Sequence, residues 1–584
     1  MTQVQSISQM GTRVKVLVMA GTMLGLFTSA MDQTIVGTAM PRVVAHLGGY
    51  QHYSWVFTGF MVVSTTTVPI VGKLTDMYGR KFFFLGGIAV MMLGSALCGT
   101  SQSMTQLIAF RAIQGLGAGT IMATAFAIIG DIFPPAQRAR WAGLMSGVFA
   151  AASVAGPLIG GYITDNLNWR WVFYVNLPLG AVALSTFFSV MPSVRPGVRH
   201  RLDYWGVTML ILAVVPLLLA FSWANEEYPW LSAQIIGLLV FAALAALAFA
   251  AVESRAAEPI LPPELFRHRI FLVSAGVTFL TGMGMFGSIA YLPLFVQGVI
   301  GSSATNSGLV IMPMMISLSI TAAIVGQILG RWGRYRIIGV VGLAVMSGGM
   351  FLMSRMDVTS SNAIATRNMI VVGLGLGATM PIFVLAVQNA LPYRMLGVST
   401  AAIQFFRSVG GTMGVAIMGS LLNSRFSAEL TAQTPSQVRE STPPDLLERL
   451  QDPQALLNAD LLTGLREAFA GLGEHGAAMF DQVMLATRTA LGVGIADAFL
   501  LGTGITFGAF LVAIFMKEVP LRKTWAVPET TAAGMPLDRL GSSPVAASTS
   551  AAAADPPPTG RDDAPDDGPD PDERAPDGRR LAEG

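Results

Sequence analysis

The sequence predicts an all-α polytopic membrane protein with fourteen spans, built as two six-helix halves with two extra helices between them. Three observations carry this. Of 584 residues, 53% are apolar and 12% charged, about half the charge of an ordinary soluble domain, and one soluble core does not grow to this length. Mean hydropathy is +0.59. Apolar stretches long enough to cross a bilayer core of about 30 Å recur along the chain. The chain also repeats itself. A single cysteine, Cys98, excludes an internal disulfide framework and any multi-cysteine metal site.

In lipid every backbone polar group must find an internal partner, so the apolar stretches read as helices. The first covers 14–38 and is too long for the hydrophobic region of a cleaved leader, about 7–15 residues. Spans at 54–72 and 82–100 flank a basic turn. The fourth, 104–130, carries Arg111 and a glycine run; the fifth, 141–164, ends in a Gly-Pro segment; the sixth is 171–191. Spans at 204–224 and 232–252 are nearly uniformly apolar and form the extra pair. The second half reads 270–297, 306–330, 337–354, 368–390, 400–423 and 491–516.

Gly72-Lys-Leu-Thr-Asp-Met-Tyr-Gly79-Arg80 after the second span is echoed by Gly326-Gln-Ile-Leu-Gly-Arg-Trp-Gly333-Arg334 after the tenth, 254 residues later. Gly115-Leu-Gly-Ala-Gly119 is echoed by Gly373-Leu-Gly-Leu-Gly377, 258 residues later. Parallel halves of this kind build many secondary transporters, with the substrate path between them. The domains are therefore 1–13, a short N-terminal segment; 14–191, the first bundle; 192–269, a linker with the extra helices; 270–516, the second bundle; and 517–584, a tail. Within the second bundle, 424–490 reads as a long outer loop with an amphipathic stretch at 455–472. From residue 527 the chain holds twelve acidic and five basic residues with almost no aromatics, the composition of a disordered tail.

Basic residues in short loops set orientation. With the N-terminus inside, the inner segments hold twenty, among them Arg13, Lys73, Arg80, Lys81, Arg138, Arg140, Arg331 and Lys517, against Arg42, Arg170, Arg355 and Arg367 outside. Both termini are expected in the cytoplasm.

An ionisable side chain inside a span costs several kcal/mol and is a functional candidate by default. Asp32, in the first span, is the best proton carrier: burial raises a carboxyl pKa and a nearby cation lowers it, so alternate exposure switches its protonation. Arg111 keeps its charge and is the natural partner, with a buried pair fixing helix register as the plain alternative. Gln33, Thr34 and Gln114 are candidate cavity residues. Arg407 reads as a snorkelling or packing residue, and Asp497 as an interfacial one. Asp76 in its tight turn is placed to accept bonds from a helix N-terminus and pair with a neighbouring arginine. All five histidines fall outside the spans, no phosphate-loop motif is present, and the Gly-x-Gly runs are helix-packing faces with no strand before them. Metal, nucleotide and nucleic-acid partners are not expected.

These motifs together resemble the major facilitator superfamily, in its fourteen-helix drug:proton antiporter branch (EmrB/QacA type), over about residues 10–520. The resemblance rests on Asp32, Thr34, Ile35, Val36, Ala39 and Pro41 in the first helix. The loop after the second helix adds Gly72, Leu74, Asp76, Gly79, Arg80 and Lys81. The fourth helix adds Arg111, Gln114, Gly115, Gly117 and Gly119, the fifth Gly156, Pro157, Gly160 and Gly161. Trp169-Arg170-Trp171 through Asn176-Leu-Pro178 looks like the start of the family's sixth helix. Gly37 and Ala152 depart from common family choices.

The resemblance implies the major facilitator fold, no enzymatic activity and no cofactor, with the proton gradient as energy source. It implies proton coupling at Asp32 and Arg111, a conformational latch at Gly72, Asp76, Gly79, Arg80 and Lys81, and an antiporter motif at Gly156, Pro157, Gly160 and Gly161. The expected function is proton-coupled export of lipophilic drugs or toxic compounds by a monomer in a bacterial cytoplasmic membrane. With one acid deep in the membrane, neutral or monocationic cargo is favoured. Export of an endogenous lipid, siderophore or metabolite on the same fold is the alternative; a membrane scaffold or sensor with the tail as output is a third.

Overall fold

The computed structural model describes residues 11–48, 52–133, 135–192, 202–224, 227–302, 304–392, 395–434, 459–471 and 476–520. Fourteen helices in it are long and apolar enough to cross a membrane. They are α1 (Thr12–Leu47), α2 (Tyr53–Tyr78), α3 (Arg80–Thr100), α4 (Met104–Ile132), α5 (Pro135–Asn166), α6 (Asn176–Val190), α7 (Tyr204–Trp223) and α8 (Ala233–Glu253). The second set is α9 (Arg269–Leu294), α10 (Ala304–Trp332), α11 (Tyr335–Met353), α12 (Asn362–Ala390), α13 (Leu396–Gln433) and α14 (Gly476–Ile514). The sixth span, Trp171–Val190, joins a short helix Trp171–Tyr174 to α6, and each of the other expected spans overlaps one of these helices.

Local chemistry sets several of the boundaries. The hydroxyl of Ser103 accepts the Gln106 N–H at the start of α4, the carboxylate of Asp203 accepts the Gly206 N–H at α7, and Ser232 accepts from Ile235 at α8, each satisfying a donor the helix itself leaves unpaired. One residue, Gly79, separates α2 from α3 at φ +94°, and Gly333 holds φ +68° between α10 and α11. Only glycine takes that conformation at no steric cost. The sequence repeat is thus a repeated turn.

The repeat extends to packing. In the first half α2 and α3 both pack on α4, α1 packs on α5 and α6, and α3 on α6. The same relations hold eight helices later: α10 and α11 on α12, α9 on α13 and α14, α11 on α14. The glycine runs explain the closeness. A Cβ on Gly115 or Gly119 would strike the α2 backbone at Phe60 or Ser64, and one on Gly117 the α3 backbone at Met91. In α12, Gly373 and Gly377 face the α10 backbone at Met314 and Leu318, and Gly375 faces α11 at Met346. The halves meet where α5 lies along α10 and α2 along α13. The extra helices α7 and α8 pack on each other, with α7 also against α2 and α13.

The segment expected as a loop over 424–490 differs from that extent. Helix α13 runs on to Gln433 and α14 begins at Gly476, because both continue their helical pattern past the apolar stretch. The expected amphipathic stretch contains the helix Ala459–Ala470, whose Leu465 and Phe469 are buried with Val483 of α14. Residues 435–458, 472–475 and the tail from 521 lie outside the described residues.

Candidate functional site

Asp32 lies on α1, fully buried, and four helices converge on it. Its Oδ2 receives Arg111 Nη1 of α4 at 2.5 Å. Its Oδ1 accepts from Gln114 Nε2 of α4 at 2.7 Å and from Asn176 Nδ2 at the start of α6 at 2.8 Å. Ser95 of α3 ties the amides together, 2.7 Å from Gln114 Nε2 and 3.3 Å from Asn176 Nδ2. Arg111 also donates to Gln114 Oε1 at 2.7 Å and to the Val56 carbonyl at 3.4 Å, and its guanidinium lies 4.3 Å from the centre of the Phe60 ring. Opposite charges that leave water gain only when their remaining donors and acceptors are also met. Here they are met.

The sequence singled out Asp32 and Arg111, and the structure brings them together. Gln114, expected to line a cavity, is instead fully buried inside the cluster: its amide is spent on Asp32, Ser95 and Arg111. Asn176 and Ser95 were not singled out as site residues. Ser95 is a small neutral residue that nothing in the local pattern marks, and Asn176 stands in the motif at the start of the sixth span with no sign of which carboxylate it meets.

Two residues on, Thr34 is half-buried and its hydroxyl donates to Met31 O at 3.0 Å. Two glycines of the Gly156–Gly161 segment of α5 stand against this stretch of α1: a Cβ on Gly156 would strike the Thr34 hydroxyl, and one on Gly160 would strike Thr38 and Ile35. Gly161 faces open space and Pro157 is exposed, so only two of these four residues touch α1. Gln33 is half-buried beside them.

The second group closes the end of the bundle where α2 turns into α3. Asp76 accepts the backbone N–H groups of Gly397 at 3.1 Å and Val398 at 2.8 Å, the free donors at the start of α13 and hence the positive end of that helix. Arg80 pairs with Asp76 at 2.5 Å and with Asp131 at the end of α4 at 3.0 Å, and donates to Thr75 at 2.6 Å. A Cβ on Gly72 would strike Ala401 of α13. A carboxylate of the first half thus holds a helix of the second. The second copy of the motif has Gly330 where the first has Asp76, so this contact belongs to one side of the repeat. Lys81 stands apart from it, donating to the Phe188 carbonyl at 2.8 Å. Asp131 completes the network and was not anticipated, since a lone acid at a span end reads as interfacial. Lys73 pairs with Glu258 of the linker at 3.1 Å, and Asp497 pairs with Arg425 at 3.0 Å. Among the described residues no group of three or more metal-binding side chains occurs.

Two parallel helical halves spanning a membrane, with a buried ion pair in one of them and a carboxylate of that half capping a helix of the other, are the architecture of a membrane transporter. The chain belongs to the major facilitator superfamily, whose profile matches residues 22–415. It is 43% identical over 417 residues to the multidrug transporter protein MdtP of Bacillus subtilis, covering 71% of this chain and 77% of that one. It is 38% identical over 454 residues to multidrug resistance protein 3 of the same organism, covering 77% and 88%. Among solved structures, the proton:xylose symporter XylE superposes with a TM-score of 0.53 at 10% identity, over 87% of this chain and 97% of that one, a likeness of fold alone.

Proposed function

We propose that the protein exports lipophilic compounds in exchange for protons by alternating access, with Asp32 as the proton-binding group. The observation that carries this is the position of the Asp32 cluster. The carboxylate is held as an anion by one guanidinium and two amides; adding a proton removes the charge that Arg111 answers and the acceptor capacity the amides use. Relaxation of α4 and α6 follows, and α1 transmits it, because Thr34 touches Gly156 on α5 and α5 is the helix that lies along α10 of the other half. Proton gain and bundle movement are thereby coupled. Each charge crossing 100 mV supplies about 2.3 kcal/mol, enough for a concentration ratio of more than tenfold.

The excess of basic residues near the Asp76 turn supports placing that end, and both termini, in the cytoplasm, with the chain in the inner membrane of a bacterium. The two Bacillus relatives carry multidrug in their names, which supports drug export and a role in antibiotic resistance. The reading needs no cofactor and one copy of the chain. Purified protein in weakly buffered detergent solution tests the coupling. Adding a transported lipophile is expected to release protons, seen with a pH-indicator dye. Binding with no proton release at any pH overturns it.

A further inference from the structure

Arg407 is the other arginine deep within a span, and its setting is the reverse of Arg111's. It lies eleven residues after Leu396 in α13, about 16 Å along the helix and so near the middle of a hydrocarbon layer of about 30 Å. Among the described residues no hydrogen bond, carboxylate or aromatic face meets its guanidinium. The helices packed against α13 explain why. Of these, α7, α9 and α12 contain no acidic residue, α2 and α4 contain Asp76 and Asp131, both engaged by Arg80, and α14 contains Asp481 and Asp497, of which the latter pairs with Arg425. A guanidinium does not shed its charge when buried, so a lone one at this depth is costly.

Nor does lipid explain it. From Leu396 to Leu422 no residue of α13 is fully exposed, so no face of the helix is given over to lipid along this length. Residues Leu396 to Phe405 are all buried, and Phe406, Arg407 and Ser408 are the first that are partly open. Arg407 therefore stands where the fully buried first turns of α13 give way to a partly open stretch. One turn earlier on the same face is Gln404, 4% exposed, whose buried Oε1 has no partner. Gly410, Gly411 and Gly414 bring α9 in alongside, with Phe279, Phe286 and Met283 against them.

We propose that Arg407 is the recognition group for the cargo and that the cargo is an anionic amphiphile: a carboxylate or sulfonate on an apolar body. This deepens the exporter reading above and rests on it. The anion neutralises the unpaired guanidinium at this partly open stretch between helices, Gln404 donates through its amide once turned toward the same group, and the aromatic and thioether side chains of α9 take the apolar part. It departs from the neutral or monocationic cargo expected from the sequence, where Arg407 reads as a packing residue because the absence of any facing acid is a property of the assembled helices.

The test compares 8-anilinonaphthalene-1-sulfonate with N-phenyl-1-naphthylamine, which share a body and differ in the sulfonate. Binding of each is titrated by fluorescence to the protein in zwitterionic lipid nanodiscs, with empty discs subtracted. Arg407→Gln is expected to weaken the sulfonate at least tenfold and to change the neutral amine less than twofold. Arg407→Lys, which keeps the charge but not the fork, is expected to restore part of the sulfonate affinity. Sulfonate binding unchanged in Arg407→Gln, or both probes weakened equally, overturns the proposal. If Arg407→Gln does not fold, the lysine variant decides, by a loss of a few-fold confined to the sulfonate or by no selective loss. Binding needs no gradient, so charge-selective binding without gradient-driven export counts against the exporter reading, whereas export with charge-blind binding counts against Arg407.

Discussion

Replacing Asp32 by asparagine keeps the side chain's size and removes its charge, leaving Arg111 buried with no counter-ion. Breaking a buried pair from one side costs about 3–5 kcal/mol, here softened because Gln114, the Val56 carbonyl and the Phe60 ring remain with Arg111. Asp32→Asn is thus expected to fold with a lowered melting temperature and to lose gradient-driven export by at least tenfold in everted vesicles, while still binding substrate. Export against a gradient by the folded variant defeats the assignment. At this scale the sequence was informative about charges and silent about neutral partners. An aspartate or arginine inside a span is conspicuous because lipid penalises it. Ser95 and Asn176 bear no charge and meet their cost by hydrogen bonding, so their place around Asp32 emerges only when α3 and α6 meet α1. Gln114 shows the same limit: its residue type is readable, its neighbours are not.

A helix in this protein is defined as much by the residues it lacks as by those it has. Gly117 and Gly86 sit on neighbouring helices, both in ordinary helical backbone, yet they meet different surroundings. A Cβ on Gly117 would press into the α3 backbone at Met91 and Gly87, whereas Gly86 has nothing within 4 Å. Alanine is the better helix former by about 1 kcal/mol, and inserted methyl groups in packed interiors cost about 1–3 kcal/mol. Gly117→Ala is therefore expected to lower the melting temperature in detergent, and Gly86→Ala to leave it equal or higher. Equal effects would refute the account of close packing. The repeat of these glycines was legible because small residues at spacing two stand out in apolar runs, and it gave the pairing of α4 with α12 directly. Helix ends were less legible: α13 continues to Gln433 because polar residues such as Asn423 and Arg425 are tolerated in a helix beyond the lipid, where hydropathy no longer tracks structure.

For the whole molecule, the decisive quantity is the free-energy difference between arrangements of the two halves, and one carboxylate contributes to it from across the seam. Asp76 belongs to the first half and its two acceptors are spent on the first N–H groups of α13 in the second. When the halves part at this end, those donors lose their partner and the positive end of α13 loses its anion, so the contact favours the closed form only. Arg80 does not share that fate, since Asp131 and Thr75 stay with it in either arrangement. Asp76→Ala consequently removes a helix cap without orphaning a cation, a loss of roughly 0.5–2 kcal/mol and hence about a 2- to 30-fold shift in the closed-to-open ratio. Spin labels at the exposed positions Phe82 and Trp332, one on each half beside this end, report the distance, and Cys98 is buried and contributes little background. The variant is expected to move population from the short to the long distance, with proton release on substrate binding preserved because the Asp32 cluster is untouched. An unchanged distance distribution would mean that the seam is held by α5 on α10 and α2 on α13 alone, and that Asp76 only shapes its own turn.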